Sequence, residues 1–425
     1  MRVVVVGGGW AGCAAALQAK KCGADVMLIE RTDMLLGLGN VGGIMRNNGR
    51  FTAAEELIAL GADDLFKIIE RCTRHKNIDF PGHKHADLYD VTIIEANIRR
   101  YLLSLGIEIK FETRAVDVDV EKNHINAIYL QDGQGIEGDV YIETTGSTGP
   151  MGNCIRYGKG CSMCILRCPS YGPRVSLSQR AGVEDILGMR DDGIFGAMSG
   201  SCKLDKNSLS EEIREELDAK GVYITDIPQE DIHPEKLKMK VCQQYALKEF
   251  AEKVILLDTG HAKLMTSYYP LENLRKLKGF ENVRFIDPYA GGRANSIRYL
   301  SMAPRDNTMK VVGLDNLFVG GEKSGLFVGH TEAIVTGTLA GYNAVRSVLG
   351  LKCIELPSTL AVGDIIKYEN EGKKNKKGLT KRYTFAGSEY FERMKSLGLY
   401  ITDVEEIKQK VSKLMIDGIF KEKLI

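Results

Sequence analysis

The chain has 425 residues, with 57 Lys and Arg against 56 Asp and Glu, a formal net charge of +1. That balance excludes a global attraction to nucleic acid or membrane surfaces, so any such contact has to come from a local patch. The length allows two or three domains, no apolar run approaches a membrane span, and the N-terminus enters a strand without a signal pattern; the expectation is a cytoplasmic protein with no membrane contact. Ten cysteines in such a chain argue for metal or redox chemistry rather than a disulfide framework.

Residues 3–6 are four consecutive valines, the pattern of a parallel strand buried on both faces. Gly7, Gly9 and Gly12 follow in G-x-G-x-x-G spacing. The first glycine permits a sharp turn, the second lets a pyrophosphate approach the backbone, and the third lets the next helix pack closely. Residues 14–20 supply that helix, whose amides favour phosphate. Residues 26–29 make a second strand ending at Glu30-Arg31, and a carboxylate at Glu30 can accept both hydroxyls of an adenosine ribose. A bound dinucleotide is expected.

Residues 32–50 include Gly37, Gly39, Gly42, Gly43 and Gly49, a density suited to backbone lying close against a flat ligand. Residues 52–71 have amphipathic helical spacing. Residues 75–85 are polar and turn-rich, with His83 and His85 as loop residues or strand metal ligands. Residues 91–105 return to helix. Strands are then expected at 107–111, 115–120, 125–130 and 140–143, ending in T-T-G-S-T-G at 144–149.

Cys154, Cys161, Cys164 and Cys168 form C-x6-C-x2-C-x3-C-P. The last three with their proline resemble part of the bacterial ferredoxin run, so the leading expectation is a [4Fe-4S] cluster. Tetrahedral zinc and a redox thiol pair remain open, and Cys202 is an alternative fourth ligand. Arg156, Lys159, Arg167 and Arg174 surround the run and either offset thiolate charge or form a solvated basic loop.

Further along, residues 209–220 read as a charged helix and 234–255 as a longer one with one buried side. Tyr268 and Tyr269 either stack on a planar substrate or pack in the core. Arg293 and Arg298 either anchor an anionic substrate or sit in ion pairs. Short helices are expected at 360–370 and within 386–420. Between them residues 372–382 carry six positive side chains and no acidic one, a local patch that either contacts RNA phosphates or is solvated loop.

The glycine-rich first unit, the E-T-T-G strand end and the stretch D-N-L-F-V-G-G-E-K-S-G-L-F-V-G-H-T-E-A-I at 315–334 together resemble FAD-dependent oxidoreductases of the glutathione-reductase-like Rossmann type. Within that type the last stretch is similar to the glucose-inhibited division protein A group, which includes the folate-dependent tRNA uracil methyltransferases. The resemblance covers residues 1–150 and 280–350. It implies FAD as cofactor, Gly7, Gly9 and Gly12 at the pyrophosphate, Glu30 at the ribose, Arg31 among the cofactor-binding residues, Val116 beside the adenine, and Gly146 under the pyrophosphate. Gly42 and Gly43 belong to the same carried-over FAD set. Gly321 and Glu322 stand where the family has Gly-Asp at the ribityl chain, and Gly329, His330 and Thr331 open a helix facing the cofactor.

These readings predict an α/β fold. A glutathione-reductase-like FAD-binding domain is built from residues 1–150 and 281–350, with an inserted cysteine-containing domain at 151–280 and a small helical C-terminal module at 351–425. No second G-x-G-x-x-G follows a strand, so a separate nicotinamide domain is not expected. Because the cysteine spacing is the more specific signal, the leading function is an FAD-dependent oxidoreductase whose iron–sulfur cluster exchanges electrons with the flavin. Its partner is then a small-molecule substrate or an electron-transfer protein, and a homodimer is an assembly to test. The alternative is a flavin-dependent enzyme modifying uridine in tRNA, with Cys202 as the residue that adds to the uracil ring.

Overall fold

The computed structural model describes residues 1–147, 174–198, 202–266, 269–286 and 297–425. Cys154, Cys161, Cys164, Cys168, Tyr268 and Arg293 lie outside these described residues.

A five-stranded parallel sheet organises the molecule, in the order Leu317–Val319, Val140–Glu143, Arg2–Val6, Asp25–Ile29, Glu108–Lys110. Successive side chains of a strand point to opposite faces, and both faces here are covered. Val3 and Val5 join a core with helices Trp10–Lys21 and His330–Val348. Val4 and Val6 join a second core under the antiparallel strands Ala115–Glu121, His124–Leu130 and Gly135–Glu137. A run of four valines is therefore buried throughout, as a doubly covered strand requires.

A second, antiparallel sheet has the order Cys202–Leu204, Ala262–Leu264, Lys253–Asp258, Val222–Asp226. Helix Glu211–Lys220 buries Ile213 and Leu217 against one face, with its N-terminus capped by Ser210. On the other face, Ile255, Leu257 and Met265 pack with Phe80 and Leu88 of the hairpin Thr73–Phe80 and His83–Tyr89. The turn-rich stretch at 75–85 is thus a hairpin. Its alternating apolar residues are satisfied by a partner sheet distant in sequence.

Residues 52–71 split into helices Gly49–Ala59 and Asp64–Arg71 around Gly61, whose φ of 97° lies in the left-handed region. The long helix expected at 234–255 does not form. That stretch contains the 3-10 turns Pro234–Met239 and Gln243–Tyr245, one helical turn Glu249–Glu252, and the strand beginning at Lys253. The apolar run Val254 to Leu257 is too short and too β-branched to arbitrate for helix, and its pairing on both sides decides for strand.

The C-terminal helices Ala361–Gly372, Ser388–Ser396 and Val404–Lys413 pack on Gly49–Ala59, and their apolar residues belong to the same core as the first helix. Among the described residues, no helix is long and apolar enough to cross a membrane.

Candidate active site

One large cavity runs from the C-terminal ends of the parallel strands into the cleft between the two sheets, with a volume of about 220 Å³. Its first end is built by the glycine turn. Gly7 has a φ of 103°, and a side chain there would meet the Thr144 carbonyl. A methyl on Gly12 would run into the Gly7 carbonyl and the Thr144 hydroxyl, so only glycine lets helix Trp10–Lys21 sit this close to the strand. Glu30 accepts from the Gly8 amide at 2.7 Å and from the Thr32 amide and hydroxyl at 2.8 and 2.9 Å. These bonds fix a carboxylate at the cavity wall beside Arg31 and Ala115.

In the middle, Gly39 to Gly42 approach the N-terminus of helix His330–Val348, where a side chain on Gly42 would collide with the His330 ring. Burial, helped by the charges of Arg50, Lys263 and Arg298, pushes His330 down to about 3, so it is neutral at physiological pH. Arg50 is held by Glu332 at 3.1 Å and by the carbonyl of Val328 at 3.0 Å.

The far end is cationic. Lys240, Lys263 and Arg298 line it together with Cys242, Gln244 and Tyr245. Arg298 pairs with Glu322 and lies 3.6 Å from the Cys242 sulfur. Glu322 also accepts from the Ser147 hydroxyl. The segment carrying Cys242 and Gln244 is fixed from below by His83. Asn47 donates to His83 Nδ1 at 3.0 Å, which leaves Nε2 to donate to the Gln244 carbonyl, also at 3.0 Å. Burial pushes His83 down to about 3 and keeps it in this neutral form.

Of the residues singled out from sequence, Gly7, Gly9, Glu30, Arg31, Gly42, Gly146, Gly321, Glu322, Gly329 and His330 line this one cavity. Gly12, Gly43 and Thr331 stand behind the wall; Thr331 directs its hydroxyl to the Met45 sulfur at 3.7 Å. Val116 is not a lining residue, whereas its neighbour Ala115 is. Glu322 is engaged by Arg298 and Ser147 rather than standing free for a ribityl chain. Cys202 is buried within the second sheet, opposite Leu264, and is not part of the cavity wall. Among the described residues, the cysteine that reaches the wall is Cys242, which a helix over 234–255 would leave in the scaffold. Its only sequence signal is its position in a short polar stretch between two apolar runs. Among the described residues, no group of three or more His, Cys, Asp or Glu is arranged to hold a metal.

The doubly covered parallel sheet, the glycine turn with its acidic strand end, and the second chain segment returning through Gly321 to His330 define an FAD-binding Rossmann-type protein. The chain belongs to the glucose inhibited division protein A family, whose model matches residues 2–198 and 260–352. The same fold is seen in GidA of Aquifex aeolicus in two crystal forms. Both have 18% identity and a TM-score of 0.64 over 97% of this chain, covering 75% and 78% of theirs. A geranylgeranyl bacteriochlorophyll reductase-like protein of Thermoplasma acidophilum matches at 12% identity and TM-score 0.51, covering 96% of this chain and 98% of its own. The methylenetetrahydrofolate–tRNA-(uracil-5-)-methyltransferase TrmFO of Caldicellulosiruptor bescii is 35% identical over 68 residues, 16% of this chain and 15% of that protein.

Proposed function

We propose that the protein is an FAD-dependent enzyme that modifies a uridine of tRNA, the reading placed second from sequence alone. The observation that carries it is the juxtaposition in one cavity of a dinucleotide cradle and a chamber holding a cysteine under an arginine. Membership of the glucose inhibited division protein A family and the local likeness to a tRNA uracil-5-methyltransferase support it. The residues present fit FAD: the Gly7 to Gly12 turn would take the pyrophosphate, Glu30 the adenosine ribose, and Gly42 with the His330 helix start the ring system. When bound, FAD supplies hydride and one-electron chemistry.

The chain's own contribution is nucleophilic. Cys242 Sγ adds to C6 of the uracil ring, opening the C5–C6 double bond and making C5 the carbon that attacks a one-carbon donor. Loss of the C5 proton with release of the donor's amine leaves an exocyclic methylene, and two-electron reduction of that carbon, chemistry that reduced FAD would supply when bound, gives the methyl group and expels the sulfur as thiolate. Arg298 Nη1 lies 3.6 Å from the Cys242 sulfur, and the hydrogen bond from His83 to the Gln244 carbonyl holds the segment that presents it.

The test is nucleoside mass analysis of an unmodified tRNA transcript after incubation with the FAD-loaded, reduced protein and methylenetetrahydrofolate. A uridine should gain mass, Cys242→Ala should abolish the gain, and Cys202→Ala should lose far less. Transcripts left unchanged under every one-carbon donor would remove this reading.

A second reading keeps the iron–sulfur expectation, because Ser147 and Arg174, the residues flanking the segment that carries Cys154, Cys161, Cys164 and Cys168, both line the cavity. A cluster on that segment would deliver single electrons to the flavin. Anaerobic purification should then give about four irons per chain; zinc without iron, or no metal, would leave the tRNA-modifying reading to stand without it.

A further inference from the structure

Among the described residues, one buried charge of the Cys242 chamber has no carboxylate partner. Its arginines are matched: Arg298 pairs with Glu322, and Arg50 with Glu332 at 3.1 Å. Lys263 is not matched in the same way. It is 5% exposed and donates to the carbonyl of Val41, and among the described residues no carboxylate lies within ion-pair distance of it. Lys240, 3% exposed, adds a second ammonium group to the same wall; it donates to the Met265 carbonyl at 3.2 Å and lies within the influence of Cys242 and Cys202. Both lysines line the cavity.

Burial pushes each lysine down to about 8, so both remain largely protonated at neutral pH. Taking the Lys263 ammonium out of water without a carboxylate beside it is strongly unfavourable, and folded proteins tolerate such a charge where an anion completes the site. Gln244 Oε1, buried in the same wall, has no hydrogen-bond partner among the described residues and, as an acceptor, calls for an N–H or O–H donor on the same ligand rather than for its anionic group.

We infer that Lys263, with Lys240 beside it, forms an oxyanion subsite next to Cys242, built to hold a carboxylate or phosphate group of the molecule that reacts there. The inference deepens the function proposed above, since it names the charge carried by whatever enters that chamber. Its test uses no RNA, so failure of anion capture and failure of tRNA modification are separate results.

The FAD-bound protein is treated with iodoacetate, an anion, or iodoacetamide, its neutral analogue, and alkylation of Cys242 is followed by mass analysis of the peptide 241–248. Iodoacetate should react with saturating kinetics and about tenfold or more faster than iodoacetamide, through local concentration of the anion. Taking the ratio of the two rates cancels any change in thiolate fraction. Lys263→Met and Lys240→Met should each collapse that ratio, and inorganic phosphate or acetate should protect Cys242. Stronger protection by phosphate identifies a phosphate ester as the natural source, and stronger protection by acetate identifies a carboxylate.

Because methionine replaces a buried charge with an apolar group of similar length, Lys263→Met should also raise the melting temperature, where a purely structural lysine would lower it. Should either variant fail to fold, saturation and protection in the unaltered protein still decide. Linear, unprotected iodoacetate kinetics no faster than iodoacetamide would overturn the subsite.

Discussion

Glu56 is fully buried and accepts the backbone amides of Ala361 and Val362, both at 3.0 Å, so a carboxylate on one helix caps the start of another. Burial pushes it up to about 7 despite those two donors. A folded value above the unfolded one means that the native state binds the proton more tightly. Its stabilisation is therefore complete below about 4.5 and is lost as pH rises through about 7. His83 and His330 act in the opposite sense, contributing stability above their ordinary value that is lost as pH falls towards about 3. The diagnostic quantity is consequently a difference between variants. Glu56→Gln should gain about 3 kcal/mol on the parent between pH 4.5 and 7 in denaturant titrations, since each tenfold change in proton affinity is worth roughly 1.36 kcal/mol. A parallel pair of profiles would show that Glu56 is ionised in the fold throughout.

At the scale of elements, the two helices covering the parallel sheet meet backbone to backbone. A methyl on Gly337 would collide with the Ala11 carbonyl, and one on Gly341 with the Ala15 carbonyl. Alanine in an exposed helix interior is worth about 1 kcal/mol over glycine, so propensity alone would make Gly341→Ala stabilising. The crossing reverses the sign, because overpacking a close contact costs about 1–3 kcal/mol. Gly341→Ala should lower stability by up to about 2 kcal/mol on balance, measured by thermal or denaturant unfolding, and a stabilised variant would mean that the helices can separate freely. The same first helix is set against the glycine turn by Gly12, so the spacing of this layer also shapes the dinucleotide end of the cavity.

For the molecule as a whole, the basic run at 372–382 is largely absorbed into the fold. Lys373 is buried 3.6 Å from Glu369, which also pairs with Arg305 at 2.6 Å. Lys374 pairs with Glu371 at 2.9 Å, Lys381 with Glu389 at 2.5 Å, and buried Arg382 donates to the Met189 carbonyl at 3.0 Å. Lys376 and Lys377 remain exposed. Each phosphate contact contributes about 0.7–0.9 to the slope of log affinity against log salt. Replacing Lys376 and Lys377 together by alanine should therefore flatten the slope for tRNA by about 1–2 if this face meets RNA, as measured by salt-dependent filter binding. Lys373→Ala should instead lower stability, because it removes a partner from a buried carboxylate. An unchanged slope would place the RNA on another face.

What the sequence determined by itself is what short-range chemistry dictates. Four valines fix a doubly covered strand, G-x-G-x-x-G fixes the turn that follows, and Glu30 fixes the acidic strand end, because each depends on neighbours within one supersecondary unit. The parallel sheet, both of its chain segments and most of one wall of the cavity were legible on that basis. The other wall was not. Lys240, Cys242, Gln244 and Lys263 converge only because Lys253–Asp258 pairs with strands on both sides and because His83, on a hairpin more than 150 residues earlier, holds the Gln244 carbonyl. Burial of an isolated polar stretch is a property of its distant partners, not of its own pattern. Tertiary structure therefore decided that Cys242 rather than Cys202 reaches the cavity, and that Lys373 serves the fold rather than solvent.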